Sequence, residues 1–398
     1  MSYSDISIEI TKELSKEIKK QDGIFFTPIE TINRNIEFLK PYFSSINTIL
    51  EPSCGSCEYI NKINQLYPTK NITGIEYNKE VYNKIIPLEN DKVKLINDNY
   101  INYDKLNKYD LIIGNPPYYV MKKNEVDKSF YPYFTGRPNI FILFIIKSLE
   151  LLNDNGILSF VLPKNFLNCI YYADTRKYIT DNYNIVTIME CDDKYIDTQQ
   201  ETVILIIQKT HNHNNSDFVL YNNPYAIFGI PSNVLKLQTL YEESTTLNEL
   251  NFKVLVGNVV WNQCKNILSN DNTKTRLIYS SDISNGNLEL KEYKNDSKKN
   301  YIDKPGISHP LLLVNRGYGK GNYTFNYLLI EGGFNYVVEN HLICIQYTKN
   351  IDHHDLIELY KKVINSFKDP RTTEFINLYF SNNAINTSEL NYILPIYW

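Results

Sequence analysis

Short apolar runs alternate with helix-like stretches between about residues 45 and 209. The runs are four to seven residues long and are bounded by polar or turn residues: Asn47–Leu50, Asn71–Ile75, Val93–Ile96, Asp110–Ile113, Ile157–Leu162, Ile185–Glu190 and Thr202–Gln208. The stretch Phe141–Leu152 instead carries apolar side chains at helical spacing, which predicts a helix packed on a sheet. This alternation predicts an α/β domain with a mainly parallel sheet.

The pattern changes after a polar segment, Thr210–Asp217. Beyond this segment the apolar stretches become irregular and rich in Gly and Asn, and the run Asp355–Phe367 is again helical in spacing. A length of 398 residues suits two domains. We therefore predict an α/β domain over residues 1–212 and an α+β domain over residues 213–398.

Composition narrows the class of protein. Hydrophobic residues make up 43% and charged residues 22% of the chain, which is typical of globular proteins, and a net charge of −4 confines any nucleic-acid surface to a local patch. The longest apolar run, Ile140–Leu152, contains Lys147 and Glu150, and Met1–Lys20 lacks the apolar core of a signal peptide. We expect a cytoplasmic protein without a membrane partner. Six irregularly spaced cysteines suit reduced thiols.

The tetrapeptide Asn115-Pro116-Pro117-Tyr118 directly follows the fourth predicted strand. The Asn115 side-chain oxygen and the Pro116 carbonyl could accept hydrogen bonds from an exocyclic amine, which would restore the nucleophilicity that delocalisation removes. Two prolines hold the backbone rigidly, and Tyr118 offers a ring for stacking. The pattern indicates methylation of an amino nitrogen, although a strand followed by a proline turn would look the same.

Polar residues follow the three preceding strands as well. Glu51-Pro52-Ser53-Cys54-Gly55 follows the first strand, Glu76 ends the second, and Asp98-Asn99 follows the third. In open α/β sheets this edge binds nucleotide-like ligands, with glycine allowing close approach and an acid accepting ribose hydroxyls. A solvated Glu76, or an Asp98 that caps a turn, is the structural alternative. The Cys54-x-x-Cys57 spacing also matches a redox or zinc motif, but no second pair accompanies it, and we predict no metal site.

Together these segments resemble the gamma class of N6-adenine DNA methyltransferases, the Taq-type enzymes. The resemblance covers about the first 210 residues and includes Gly23–Pro28 as the N-terminal cofactor motif, Leu162–Phe166, and Tyr195–Ile206 as the segment with a second aromatic residue. It implies a Rossmann-like class I methyltransferase domain that uses S-adenosylmethionine. The implied cofactor-binding residues are Phe26, Thr27, Pro28, Glu51, Pro52, Ser53, Gly55, Glu76, Asp98, Asn99 and Asn115. The implied catalytic residues are Asn115, Pro116, Pro117, Tyr118 and Tyr195.

Two departures from the family pattern affect these assignments. The family usually has glycine where this chain has Cys57 and phenylalanine where it has Tyr59. The second stacking aromatic aligns with either Tyr195 or Ile196, and we favour Tyr195. Adenine N6 is inaccessible in a stacked duplex, so the implied mechanism flips the target base into a pocket between Tyr118 and Tyr195.

The C-terminal half is larger than catalysis on a small substrate requires. Val256–Gln263 and Asn315–Tyr323 combine glycine with side chains suited to base edges and phosphates. Both segments resemble, more loosely, the target-recognition domains of Taq-type enzymes, which implies DNA contacts from Asn262, Arg316 and Lys320. Turns of a structural module with a core Trp261 are the alternative.

The resemblance therefore implies a site-specific adenine methyltransferase for double-stranded DNA. It further implies the modification component of a restriction-modification system, with a cognate endonuclease acting separately and the enzyme located wherever its DNA resides, including viral DNA. The alternative is an amino-group methyltransferase for RNA or for a protein glutamine, because those families share the Asn-Pro-Pro-Tyr motif.

Overall fold

The computed structural model describes residues 3–105, 107–191, 193, 195, 200–222, 225–284, 286–293, 297–317, 325–380 and 384–398. Compact packing divides the chain into two units, which meet in sequence between Leu235 and Lys236. In the described part of the chain, no helix is long and apolar enough to cross a membrane.

The first unit is built on a seven-stranded sheet within the described residues, with strand order β3-β2-β1-β4-β5-β7-β6. The strands are β1 (Thr48–Glu51), β2 (Asn71–Glu76), β3 (Val93–Asn97), β4 (Tyr109–Gly114), β5 (Leu152–Pro163), β6 (Asn184–Cys191) and β7 (Thr202–Gln208). β7 is antiparallel to both β5 and β6, whereas β1 to β5 pair in parallel. The predicted mainly parallel α/β sheet is confirmed.

Helices cover both faces of this sheet. The helices α3 (Ile29–Leu39), α4 (Glu58–Leu66) and α5 (Lys79–Ile85) pack on one face, and α6 (Ile140–Glu150) and α7 (Ala173–Asn182) pack on the other. Two further helices, α1 (Asp5–Glu13) and α2 (Lys16–Asp22), precede them, and α1 packs against α5. Successive side chains of a strand point to opposite faces. Accordingly, Ile112 of β4 joins the core on the α6 side, and Leu111 and Ile113 join the core on the side of α3 and α4.

The α6 helix is buried on nearly all sides, with residues 140–146 all buried. Its helical spacing is confirmed, but it ends at Glu150, and Leu152 begins β5 instead of ending the helix as predicted. The short connection places the start of β5 directly beside Tyr109 of β4. β4 ends at Gly114, so the residues that follow it lie at the edge of the sheet formed by the carboxyl ends of the parallel strands.

The polar segment Thr210–Asp217 does not separate the two units. Asn215 is buried, donates to the carbonyl of Tyr183 at 3.0 Å and accepts from the amide of Ile185 at 2.7 Å. The hairpin of β8 (Val219–Asn222) and β9 (Tyr225–Phe228) follows. Arg176 of α7 holds it by donating to the carbonyl of Ala226 at 2.6 Å. The division at Leu235/Lys236 thus lies beyond the predicted boundary at 212/213, because this hairpin completes the first unit.

The division falls within α8 (Pro231–Tyr241). In the second unit β10 (Phe252–Val256), β19 (Leu342–Tyr347), β16 (Leu311–Asn315) and β17 (Tyr327–Ile330) form an antiparallel sheet in that order. A second sheet has the order β11 (Leu268–Ser269), β15 (Tyr301–Ile302), β12 (Thr275–Ile278) and β18 (Tyr336–Val338). The hairpin of β13 (Ile283–Ser284) and β14 (Asn287–Leu288) lies between β12 and β15 in sequence.

Three helices close the described chain: α9 (His353–Lys368), α10 (Pro370–Tyr379) and α11 (Thr387–Tyr392). The α9 helix contains the predicted helical run Asp355–Phe367 and begins after Asp352, whose side chain accepts from the amide of Asp355 at 2.9 Å. The predicted α+β character of the C-terminal half is confirmed.

Candidate active site

A cavity of about 310 Å³ lies at the carboxyl ends of β1 to β4. It falls in the range of about 300–1,000 Å³ that small-molecule sites occupy. Its wall contains Asp22, Gly23, Ile24, Phe25, Phe26, Pro52, Ser53, Gly55, Glu76, Tyr77, Asn78, Asp98, Asn99, Tyr100, Asn115, Pro117, Tyr119, Ile140 and Phe144. The predicted edge of the sheet therefore carries a cavity.

The loop before α3 packs directly on the loop after β4. Gly23 has a φ of +68°, and a Cβ at this position would lie 2.8 Å from Cβ of Pro117 and 3.0 Å from the amide nitrogen of Tyr118. Only glycine combines this backbone conformation with this close approach. The N-terminal motif therefore packs in direct contact with the Asn-Pro-Pro-Tyr motif.

The carboxamide of Asn115 has a defined orientation. Its Nδ2 donates to the backbone carbonyl of Phe25 at 3.0 Å, and its Oδ1 accepts from the Tyr118 hydroxyl at 2.6 Å. Because a carbonyl only accepts, Nδ2 must face Phe25, and Oδ1 is the acceptor on the other side. Ser53 also donates to the Asn115 carbonyl at 3.1 Å. The hydrogen bond to Phe25 in the N-terminal motif thus fixes the orientation of Asn115 Oδ1, the atom that would accept a hydrogen bond from an amine.

The phenol of Tyr118 points inward. Its hydroxyl lies 2.6 Å from the carbonyl of Val161 as well as 2.6 Å from Oδ1 of Asn115, so two acceptors share one proton. Burial raises the pKa of Tyr118 well above its usual value, with Tyr195 contributing. The phenol is therefore a neutral donor. Its ring packs edge to face on Phe141, with centroids 5.9 Å apart.

Tyr195, the predicted second aromatic, is buried. Its hydroxyl accepts from Thr202 Oγ1 at 3.4 Å, and burial raises its pKa. Tyr195 is near enough to Tyr118 for a charge on one to affect the pKa of the other. Pro116, Tyr118 and Tyr195 lie outside the wall of the cavity, whereas Asn115 and Pro117 belong to it. The stacking role of Tyr195 stays a prediction.

Glu76, the last residue of β2, sits in the cavity wall. Its Oε2 accepts from the amide of Gly55 at 2.9 Å and its Oε1 from the amide of Asn78 at 2.7 Å. Burial nevertheless raises the pKa of Glu76 to about 7, while these two backbone hydrogen bonds act in the opposite direction. A carboxyl of this kind has lone pairs left for ligand hydroxyls.

The glycine loop after β1 contains an unusual backbone conformation. Gly55 has a φ of +49° and Cys57, where the family usually has glycine, has a φ of +63°. Left-handed conformations cost a residue with a side chain about 1–2 kcal/mol, so a glycine would be less strained than Cys57 at this position. Cys57 precedes α4 and is fully buried, and Cys54 is buried beside it.

Burial also raises the pKa of the Cys54 thiol well above its usual value. Raised pKa values keep thiols protonated and poorly reactive, which disfavours the redox alternative for Cys54-x-x-Cys57. Within the described ranges, no three His, Cys, Asp or Glu side chains come together in a way that could hold a metal ion.

Asp98 and Asn99 lie in the cavity wall after β3. Asp98 is exposed, and its Oδ1 accepts from the amide of Asn99 at 2.7 Å. The side chain of Asn99 accepts from the amide of Ile101 at 3.0 Å and caps a short 3-10 turn. The capping that we considered for Asp98 is therefore performed by Asn99, and Asp98 belongs to the cavity wall.

Glu51, Thr27 and Pro28 are buried but do not belong to the cavity wall. Burial raises the pKa of Glu51 well above its usual value, and its Oε2 has no hydrogen-bond partner among the described residues. Gly114 has a φ of +153°, and a Cβ there would lie 3.3 Å from Cγ of Glu51. Glu51 thus packs under the Asn115 loop, and a direct contact with a ligand stays a prediction.

Several cavity residues were not singled out from the sequence: Asp22, Tyr77, Asn78, Tyr100, Tyr119, Ile140 and Phe144. Ile140 and Phe144 are four residues apart on α6 and carry the helical signal, but periodicity alone cannot distinguish a cavity wall from the core. Asn78 follows Glu76 by two residues and donates to Asp22 at 3.1 Å. No pattern in the sequence marks that contact.

The cavity suits S-adenosylmethionine chemically. Glu76 can accept from a ribose diol, Asp98 and Asn99 offer an acceptor and an amide to an adenine edge, and Phe26, Ile140 and Phe144 supply apolar walls. Oε2 of Glu51 has no hydrogen-bond partner among the described residues, and a cationic group bound near it would lower the pKa that burial raises. The residues present therefore fit the cofactor.

The second unit contains the residues predicted to contact DNA. Asn262 is exposed in the short 3-10 turn Trp261–Gln263, and Trp261 is only partly buried. Arg316 is partly buried directly after β16. Lys320 lies outside the described residues.

The model of the Eco57I restriction-modification methylase family matches residues 5–196. Two relatives align over nearly the whole chain. Type II methyltransferase M.CvrRI of Paramecium bursaria Chlorella virus XZ-6E is 27% identical over 394 residues, which are 96% of this chain and 96% of the relative. Modification methylase CviBIII of Paramecium bursaria Chlorella virus NC1A is 26% identical over 404 residues, 98% of each chain. The chain is therefore similar over nearly its whole length to these two methyltransferases.

Among solved structures, the DrdV-DNA complex has a TM-score of 0.55 at 12% identity, covering 98% of this chain and 57% of that chain. A likeness at this identity shows the fold. Together with the strand order 3-2-1-4-5-7-6 and the antiparallel seventh strand, it confirms the class I methyltransferase fold.

Proposed function

We propose that this protein is a site-specific DNA methyltransferase that transfers the methyl group of S-adenosylmethionine to N6 of an adenine flipped out of duplex DNA. The orientation of Asn115 carries the proposal: Phe25 holds Nδ2, so Oδ1 is presented as an acceptor beside a cavity suited to the cofactor. Modification methylases that align with 96–98% of this chain support a DNA substrate.

When bound, S-adenosylmethionine supplies an electrophilic methyl group. The protein's contribution is to bind the amine and orient it. Oδ1 of Asn115 accepts one N–H of the adenine amine and the Pro116 carbonyl accepts the other, which moves electron density back onto N6. Positioning of the two reactants supplies much of the rate enhancement, because a correctly oriented pair reacts as if in one molecule.

Glu76, Asp98 and Asn99 would hold the nucleoside part of the cofactor, and Phe26 and Gly55 would contact it from the loops before α3 and after β1. Tyr118 would leave its hydroxyl contacts and place its ring on the flipped base, where a stack is worth about 1–3 kcal/mol. The C-terminal unit would recognise the target sequence. We further propose that the enzyme is the modification component of a restriction-modification system, with a separate endonuclease.

The test is incubation of the full chain with methyl-labelled S-adenosylmethionine and, separately, duplex DNA, RNA or a protein with an exposed glutamine. We expect label in DNA, recovered as N6-methyladenine after digestion to nucleosides. Label in RNA or protein alone would overturn the proposal in favour of another amino-group methyltransferase.

A further inference from the structure

A second cavity, of about 430 Å³, lies in the second unit beside the sheet of β11, β15, β12 and β18. Its wall contains Asn272, Thr273, Lys274, Arg276, Leu288, Leu290, Tyr301, Phe334 and Asn335. These residues come from β12, β14 and β15 and from the segments directly before β12, after β14 and before β18. The wall shares no residue with the cavity of the proposed methyl-transfer site. Its volume lies within the range of small-molecule sites.

The described wall of this second cavity is positively charged. Lys274 and Arg276 are the charged residues in it, and no acidic residue is included. Lys274 forms an ion pair with Asp303 at 2.8 Å, but the side chain of Asp303 is 68% exposed, and solvent weakens such a pair. A cleft lined by one sign of charge attracts ligands of the opposite sign. The wall therefore favours an anion, although the net charge of the whole chain is −4.

Arg276 has a buried donor that lacks an acceptor. The residue is 9% exposed, and among the described residues its Nε forms no hydrogen bond. Its Nη2 lies 3.5 Å from Oδ2 of Asp282, which is a long contact. Asp282 accepts more closely from the amide of Tyr279, at 3.1 Å, and from the hydroxyl of Tyr293, at 2.6 Å. Because unpaired buried donors are costly and Arg276 lies in the cavity wall, an acceptor atom of a bound ligand would stabilise the guanidinium.

The rest of the wall fits a planar ring system. Tyr301 is the cross-strand partner of Arg276, and its ring centroid lies 5.8 Å from the guanidinium carbon. Phe334 is 38% exposed and adds a second ring, and Leu288 and Leu290 add apolar side chains. Nucleobases stack on aromatic rings, and a guanidinium can donate two parallel hydrogen bonds to a phosphate. A nucleotide combines the anion and the flat body that this wall favours.

We propose that the second cavity binds a nucleotide. The phosphate accepts from Arg276, the base packs on the rings of Tyr301 and Phe334, and the amide of Asn335 is available to the edge of the base. A free nucleoside monophosphate and the terminal phosphate of a nucleic-acid strand present the same chemistry to this wall. The proposal is independent of the proposed methyl transfer, because the two cavities have separate walls.

The experiment is a calorimetric titration of the full chain with guanosine monophosphate. Saturating S-adenosylhomocysteine is present, so that the nucleotide does not enter the first cavity. Inorganic phosphate and guanosine are titrated in the same way. We expect guanosine monophosphate to bind at least about tenfold more tightly than either, because each of the two lacks one of the groups that the wall contacts.

Variants show whether this binding takes place in the second cavity. Arg276→Lys keeps the charge but loses the planar arrangement of donors, and Phe334→Ala removes an exposed ring without altering the buried Arg276. We expect each to weaken the binding of guanosine monophosphate by about tenfold. The matched control is Arg371→Lys, whose guanidinium packs on the ring of Tyr397 at 3.6 Å outside the cavity. Its affinity should stay within about twofold of the wild type.

Phe334→Ala keeps the test decisive if Arg276→Lys proves unstable, and the unfolding midpoint of each variant is measured without ligand. A guanosine affinity equal to that of guanosine monophosphate would overturn the proposal. A nucleotide affinity that Phe334→Ala leaves unchanged would also overturn it, as would a Kd of the wild type above about 10 mM.

An oligonucleotide with and without a terminal phosphate distinguishes the two sources of the ligand. A terminal phosphate that strengthens binding by about tenfold in the wild type, but not in Arg276→Lys, assigns the cavity to the end of a strand. Equal binding of the two oligonucleotides, together with tight binding of guanosine monophosphate, assigns it to a free nucleotide. Both results support a nucleotide site.

Discussion

The hydroxyl of Tyr118 donates to Oδ1 of Asn115 across 2.6 Å. In this state the proposed acceptor for the adenine amine is already bound by the proposed stacking residue. Entry of a flipped base must therefore replace one hydrogen bond of Asn115 with another and release the Tyr118 ring. Because one bond replaces another, the exchange at Oδ1 is close to neutral in free energy.

Tyr118→Phe removes this hydroxyl and keeps the ring. Two acceptors then lose their donor: Oδ1 of the partly buried Asn115 and the carbonyl of the buried Val161. We expect the free energy of unfolding to fall by about 1–3 kcal/mol, measured by urea denaturation. Methyl transfer in a single turnover should stay within about threefold of the wild type, because stacking requires only the ring.

Tyr118→Ala is the comparison, since it removes ring and hydroxyl together. We expect it to lose transfer by about tenfold to a hundredfold, in line with the value of one stack. If Tyr118→Phe lost as much transfer as Tyr118→Ala, the hydroxyl would be required for catalysis and the account of the ring would be wrong.

Cofactor binding should depend on pH through Glu76. Burial raises the pKa of this carboxyl from 4.5 to about 7, so between these values the folded protein holds a proton that the unfolded chain has lost. The contribution of Glu76 to stability therefore decreases as pH rises through this window. Ribose hydroxyls that donate to the carboxylate favour its ionised form. As pH rises toward 7, we expect the affinity for the cofactor to increase by up to about tenfold per pH unit. Above pH 7 the affinity should level off.

Calorimetric titration with S-adenosylhomocysteine at pH 6, 7 and 8 measures this effect. Glu76→Gln is the control, because it keeps the shape and cannot ionise. Its affinity should be weaker at pH 8 and nearly constant over the range. An identical pH dependence in both proteins would show that another group is responsible.

Gly23→Ala should damage the site through a backbone contact. The added Cβ would clash with Pro117 and with the amide of Tyr118, and φ at this position is +68°. We expect methyl transfer to fall by more than about tenfold, because a displacement of about 1 Å at the reacting groups costs up to a hundredfold. The measurement is single-turnover transfer at saturating cofactor.

Gly136→Ala is the control for Gly23→Ala, because it introduces backbone strain at a positive φ without a steric clash. Gly136 has a φ of +80°, but a Cβ there would meet no atom within 4 Å. It should lose about 1–2 kcal/mol of stability and keep its transfer rate. Equal losses of transfer in the two variants would mean that the contact between Gly23 and Pro117 is unimportant.

Arg176→Leu tests whether the hairpin of β8 and β9 is a structural part of the first unit. The buried guanidinium donates to the carbonyls of Ala226, Phe166 and Cys169 at 2.6 to 2.8 Å. Removal would leave these acceptors without this donor, and we expect the free energy of unfolding of the full chain to fall by about 3 kcal/mol or more. The exposed neighbour Lys177→Leu should change it by less than about 1 kcal/mol. Equal unfolding midpoints would contradict this role of Arg176.

The sheet could be predicted from the sequence because the central strands β1, β4 and β7 are buried on both faces and are therefore nearly continuous apolar runs. The seven predicted runs agree with β1 to β7 to within one residue at each end, except that β5 begins five residues before its predicted run. The unit boundary was placed too early because Asn215 and its neighbours are polar and resemble a linker. Asn215 is polar for a different reason: its side chain satisfies the buried backbone groups of Tyr183 and Ile185.

The cavity was predictable as an edge of the sheet, since Glu76, Asp98 and Asn115 end or follow three strands. The contacts that define its chemistry were not. The hydrogen bond from Asn115 to Phe25 joins residues 90 positions apart, and the contact of Gly23 with Pro117 depends on a loop conformation.

Asn115→Ala gives the most direct test of the proposed chemistry. The variant removes the acceptor and leaves the Glu76 and Asp98 side of the cavity intact. With duplex DNA that contains the target sequence, we measure N6-methyladenine formed in a single turnover and, separately, the affinity for S-adenosylhomocysteine. The account predicts cofactor affinity within about threefold of the wild type and transfer reduced by a factor of about a hundred or more. Undiminished formation of N6-methyladenine by Asn115→Ala would contradict it.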